Sequence, residues 1–229
     1  MKYINFNNEL KEYYNQKTLP TDVGSFALDG IIDIKKYNES SIKILWILKE
    51  AWGTGWLNNQ KGRPFEYPEY INTEFNFGES FPSSGAMWAK IIYINYGILN
   101  GFLKWDHMPN YWESEDVFNS LKNCALINLK KIPGSTVSNM NEIYQHYRTD
   151  KEVILNQIDI INPDVIICGG TYKILTKEYP FDILKNSNNE YRNGNKKRIF
   201  IPTYHPSYYS IGQEAYCDSV VQRCKTYFI

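Results

Sequence analysis

Three stretches of the chain are apolar almost without a break: Ile42–Leu48, Cys124–Leu129 and Asp164–Cys168. Such runs read as strands buried on both faces, the signature of a parallel sheet covered by helices. A fourth, shorter run, Arg198–Ile201, follows Asn193-Gly194, a pair suited to a hairpin turn. Between the runs the apolar residues recur at helical spacing. Met87, Ile91, Ile92 and Tyr96 form one such face, with Ser83-Ser84-Gly85 as its capping segment, and Val153, Ile154, Ile158 and Ile161 form another, stopped by Pro163. Shorter helices are predicted around Glu9–Asn15, Glu115–Lys122, through Leu175 and near Cys217–Thr226. Alternation of strand and helix predicts an α/β domain with a mainly parallel central sheet.

The connecting segments are uneven. Leu57–Ser84 is predicted as one long loop, rich in aromatics and punctuated by glycine and proline. Lys130–Ser135 reads as a basic turn and Asn139–Asp150 as a polar loop or short helix. Residues 1–40 carry no evident chemistry and are expected to pack as an N-terminal extension of a single domain spanning 1–229.

Composition narrows the classes. The 229 residues fit one core, and no apolar run approaches the roughly 20 residues that span a bilayer. The N-terminus lacks the apolar core of a secretory signal, so the expectation is a cytoplasmic protein without a membrane partner. Lys+Arg and Asp+Glu balance at 25 each, so any nucleic-acid contact must use local patches rather than a global positive field. Cys124, Cys168, Cys217 and Cys224 make no C-x-x-C pair. They read as small buried hydrophobes, with no metal and no cofactor expected.

Chemistry gathers at strand ends, where open α/β sheets keep their ligands. Ile42–Leu48 runs into Lys49-Glu50-Ala51-Trp52-Gly53; Cys124–Leu129 contains Asn128; Asp164–Cys168 ends at Gly169-Gly170; Arg198–Ile201 leads to Tyr204-His205-Pro206-Ser207. Pro206 restricts His205 to extended backbone and stiffens that last loop.

In this order the segments resemble those of the uracil-DNA glycosylase superfamily, closest to its bacterial and archaeal iron–sulfur branch. Ile47-Leu48-Lys49-Glu50-Ala51-Trp52-Gly53 is similar to the first motif, G-E-A-P-G, with Lys49 for Gly and Trp52 for Pro. Gly62-Arg63-Pro64-Phe65 is similar to G-R-P-F, Ile127-Asn128-Leu129-Lys130 to the base-reading strand, Asn162–Gly169 to the segment I-x-P-x-V-I-V-x-L-G, and Tyr204–Ser207 to the histidine loop. The cluster cysteines of that branch are missing, and Ala51 stands where many members carry a water-activating Asp or Asn, leaving that task to Glu50.

The resemblance implies a three-layer α/β/α sandwich around a mainly parallel four-stranded sheet. It implies a monomeric, monofunctional DNA glycosylase that hydrolyses the N-glycosidic bond of uracil or a related deaminated base in DNA. Glu50 and His205 would be catalytic: negative charge near an oxocarbenium-like sugar, and a donor to the developing base anion. Ala51, Trp52, Phe65 and Asn128 would contact the base, Asn128 through an amide that offers donor and acceptor together, Phe65 by stacking on the flipped base. Tyr67, Phe77 and Phe81 are rivals for that stacking role. Gly53, Lys130, Gly169 and Ser207 would hold phosphates, with Lys131 and Arg198 as further local cations. The alternative is a repurposed member that binds a nucleobase, nucleotide or nucleic acid without cutting it, a reading motivated by Lys49, Ala51, Trp52 and the zero net charge.

Overall fold

The computed structural model describes residues 2–18, 26–52, 65–81, 85–134, 137–178, 190–193 and 196–229, with backbone alone at positions 52, 178, 190–193 and 196–197. Expectations at Gly53, Lys61–Pro64, Ser83-Ser84 and Gly194 lie outside the described residues, as does the side chain of Trp52.

The sheet is built on β3 (Ile44–Trp52), β5 (Cys124–Gly134), β6 (Val165–Gly169) and β8 (Lys196–Thr203). Two short strands flank them, β2 (Gly30–Ile31) and β7 (Glu190–Asn193), giving the order β2-β5-β3-β6-β8-β7. β3 pairs in parallel with β5 and with β6, and β6 with β8, whereas β2 and β7 run antiparallel to their neighbours. The four-stranded sheet of the sequence reading is therefore corrected to a mixed one of six strands among the described residues. Its antiparallel edges are two and four residues long, too short to leave an apolar run in the sequence.

Both faces of the sheet are covered, which is why its central strands read as continuous apolar runs. Ile44, Trp46, Leu48, Leu126, Val165 and Ile201 pack with α4 (Gly85–Leu99), α5 (Glu115–Asn119) and α9 (Gln213–Phe228). The alternate residues Leu45, Ile47, Ile127, Ile166 and Phe200 pack with α6 (Met140–Thr149), α7 (Lys151–Ile161) and α8 (Tyr172–Glu178). Each fully buried Leu or Ile contributes about 1.5–3 kcal/mol relative to exposure. α7 ends at Asn162 in the left-handed conformation (φ 52°), a C-cap followed directly by Pro163.

Three local readings change. After the short α2 (Ile34–Glu39), Tyr67–Glu74 of the expected long loop is a helix, α3, entered with Pro68 at its first turn, where a missing N–H costs nothing. The basic turn at Lys130-Lys131 is instead the continuation of β5 to Gly134, because both ammonium groups meet carboxylates inside the protein. The N-terminal segment does more than pack. α1 (Lys2–Asn15) lays Phe6, Leu10 and Tyr14 against Phe26, Leu28, Val153 and Ile160, while the chain after it adds β2 to the sheet and sends Asp29 into the interior. Between them, β1 (Ala27–Leu28) pairs in parallel with β4 (Phe65–Glu66), tying the residues before Asp29 to the aromatic segment. Among the described residues no helix is long and apolar enough to cross a membrane.

Candidate functional site

β3 has β5 on one side and β6 on the other, so the chain reverses direction across the sheet there, and a crevice opens beyond the carboxyl ends of the strands. A cavity of about 1300 Å³ occupies it. Glu50 from the end of β3, Asn128 from β5, Phe65 from β4 and His205 and Ser207 from the loop after β8 all line this cavity. Four chain segments separated by tens of residues thus deliver an acid, an amide, an aromatic ring and an imidazole to one space.

The register explains two of them. Leu48 lies opposite Asn128 and, two residues on, Glu50 lies opposite Lys130. Lys130 donates to Glu50 Oε2 at 2.7 Å and also pairs with Glu142 of α6. Glu50 is buried at 6 % side-chain exposure, while Glu142 is half exposed. These carboxylates raise the Lys130 ammonium pKa against the opposing effect of burial. At Gly134 any Cβ would collide with the Glu50 carboxylate, so the bare backbone there is what lets the acid lie flat against β5.

Asn128 is 2 % exposed and is held by Asp29: its backbone N–H donates to Asp29 Oδ2 at 2.7 Å and its amide nitrogen to the same oxygen at 3.2 Å. Lys131 pairs with Asp29 Oδ1 and donates to Gln157 Oε1 at 3.3 Å. Burial raises the Asp29 carboxyl pKa; Lys131, chief among the opposing contacts, pulls it back.

His205 sits on a loop pinned from three sides. The Tyr216 hydroxyl donates to the Tyr204 carbonyl at 2.6 Å, Arg223 to the Pro202 carbonyl at 2.5 Å, and Lys90 to the Tyr208 carbonyl at 2.7 Å. The backbone N–H of Ser207 donates to His205 Nδ1 at 3.2 Å, and Ser207 Oγ lies 2.7 Å from the same nitrogen. A nitrogen that accepts an N–H carries no proton of its own, so neutral His205 is protonated on Nε2. Burial, with the positive charges of Lys49 and Lys90, lowers its pKa to about 4. The imidazole is neutral at physiological pH and presents an Nε2–H donor.

Other expectations fare differently. Ala51 is 1 % exposed and packs with Ala27 and Phe65 behind the cavity wall. Gly169 is enclosed by Leu48 and Pro206, and it is Gly170, at φ 74°, that reaches the cavity. Lys130 is committed to Glu50 and Glu142 rather than offered to a phosphate. Ser207 is exposed and bonds the imidazole. Of the stacking rivals, Phe65 and Tyr67 line the cavity with their rings edge-to-face at 5.0 Å, whereas Phe77 and Phe81 pack on Phe118.

Sequence reasoning missed Asp29 and Trp88, and it offered Lys131 to a phosphate where the structure pairs it with Asp29. A lone carboxylate inside the apolar run Phe26–Ile32 was the available signal for Asp29. Trp88, on α4, lines the cavity and carries a buried indole N–H with no hydrogen-bond partner among the described residues. Also among the described residues, no group of three His, Cys, Asp or Glu side chains is placed to hold a metal ion, and the four cysteines are buried and unpaired.

No protein-family model matches the chain, and no curated protein matches it in sequence.

Proposed function

We propose that the protein is a uracil-DNA glycosylase-like hydrolase that releases uracil or a related deaminated base from DNA. The observation that carries this reading is the convergence of Glu50 from β3, Asn128 from β5 and His205 from the loop after β8 on one cavity with Phe65 in its wall. Support for the superfamily's α/β/α architecture comes from the parallel order β5-β3-β6-β8 with helices on both faces.

The chemistry follows from the groups present. As the C1′–N bond breaks, its electron pair leaves with the base, and the His205 Nε2–H donates to the oxygen where that charge collects. A neutral donor suits this role, since it stabilises the anion without first having to be charged. The Glu50 carboxylate faces the sugar's developing positive charge and accepts the proton of the water that adds to C1′. Asn128 pairs with a base edge that shows N–H beside C=O. Phe65 and Tyr67 supply apolar wall for an extruded ring.

A second reading is favoured by one observation: Glu50 already spends one oxygen on Lys130. A carboxylate so neutralised fits a protein that binds a base or nucleotide and does not cut it. Incubation with single- and double-stranded oligonucleotides containing uracil, hypoxanthine or xanthine separates the two. Abasic product on at least one supports the glycosylase; binding without product supports the second reading; neither binding nor product overturns both.

A further inference from the structure

The structure assigns to Asp29 a role in choosing the base: we infer that it is a positioning residue that fixes which way round Asn128 presents its amide to the cavity. The inference rests on the base-reading role proposed for Asn128.

Lys131 can only donate, and it bonds Asp29 Oδ1 and Gln157 Oε1. Asp29 faces that ammonium with Oδ1 and takes two N–H groups on Oδ2, so Oδ2 serves as an acceptor. The group that Asn128 turns toward Asp29 Oδ2 must therefore be its NH₂, as found at 3.2 Å, while the backbone N–H of Asn128 fills the same oxygen at 2.7 Å. Gln157 Nε2 donates to the Asp29 carbonyl at 2.8 Å, which closes the set. Asp29, Asn128, Lys131 and Gln157 are all 3 % exposed or less, so no solvent competes for these bonds. Rotating the Asn128 amide by half a turn would set its oxygen against a carboxylate oxygen. What remains for the cavity is Oδ1 as acceptor and the second N–H as donor, in fixed places. That arrangement takes an edge with N–H beside C=O, as in uracil, and refuses one with a bare ring nitrogen beside NH₂, as in cytosine. With the base's orientation set by its glycosidic bond, turning the amide over would reverse the preference.

The test compares oligonucleotides that carry uracil or cytosine at one position, with binding read by quenching of tryptophan fluorescence. Wild type is expected to favour uracil, and Asp29→Asn to lose about tenfold or more of that preference, with the affinity for the preferred base changing less than the ratio does. Because Asp29→Asn leaves Lys131 unpaired, the double variant D29N/K131Q accompanies it. Retained wild-type preference in either folded variant overturns the inference. The NMR signals of the Asn128 side-chain amide in wild type read the same lock directly: one N–H protected from exchange is expected, and two freely exchanging ones would also overturn it. If wild type binds and cleaves nothing while that amide is protected, the lock stands and the proposed function falls.

Discussion

Replacing His205 should change how the protein's stability depends on pH. The folded environment lowers the imidazole pKa from 6.5 to about 4 through burial first, then Lys49 and Lys90. In the unfolded chain the ring takes up its proton as pH falls through about 6.5. Between those values the unfolded state binds more protons, so stability falls as pH falls, and this loss levels off below about pH 4. At about 1.36 kcal/mol per pKa unit, the two titrations differ by roughly 1.8 kcal/mol between pH 7 and pH 5. Solvent screening of a ring that is not fully enclosed brings this to about 1–2 kcal/mol. His146, whose pKa is also lowered by burial and by Lys130, adds a loss of the same sign. It is present in both wild type and His205→Gln, so their difference isolates His205. Urea unfolding at pH 7 and pH 5 provides the assay, with wild type losing about 1–2 kcal/mol more than the variant. Equal losses, or an NMR titration that places the His205 pKa near 6.5, would refute the reasoning.

Lys130→Met should cost about 3–5 kcal/mol, since it strips the cation from the buried Glu50 carboxylate, and Lys130→Met with Glu50→Gln should recover much of that loss in the same unfolding assay. Gly134→Ala should destabilise the protein and disturb Glu50, because the new methyl group would occupy the carboxylate's place; a variant as stable as wild type would show that Glu50 lies elsewhere. Gly170→Ala, at φ 74° and close to the Lys49 side chain, should cost about 1–2 kcal/mol by thermal denaturation.

The four central strands and most helices were legible in the sequence because burial on both faces imposes continuous apolar runs and a single covered face imposes helical spacing. What escaped it depends on partners far apart along the chain. Lys130 and Lys131 carry the local marks of a solvated turn, and only Glu50, 80 residues away, and Asp29, 102 residues away, make them strand residues. Likewise, Asn128 was visible as a candidate reader, but its orientation is set by Asp29, in a segment whose composition hints only at packing. Tyr67–Glu74 was hidden by Pro68, which punctuates loops and opens helices with equal ease. Glu50, Phe65, Asn128 and His205 could be named from their places beside apolar runs, whereas Ala51 and Gly169 could not be separated from cavity-facing neighbours without knowing the twist and register of the strands.

The central claim is that the shared cavity performs chemistry on a glycosidic bond, with neutral His205 as donor to the leaving base and the Glu50 carboxylate as acceptor of the water's proton. Single-turnover release of base at pH 7 from oligonucleotides containing uracil, hypoxanthine or xanthine tests it most directly. The account predicts measurable release by wild type and a fall of about 10²–10⁴-fold in both His205→Ala and Glu50→Gln, with each variant folded. Undetectable release by wild type, or full activity in either variant, would contradict it.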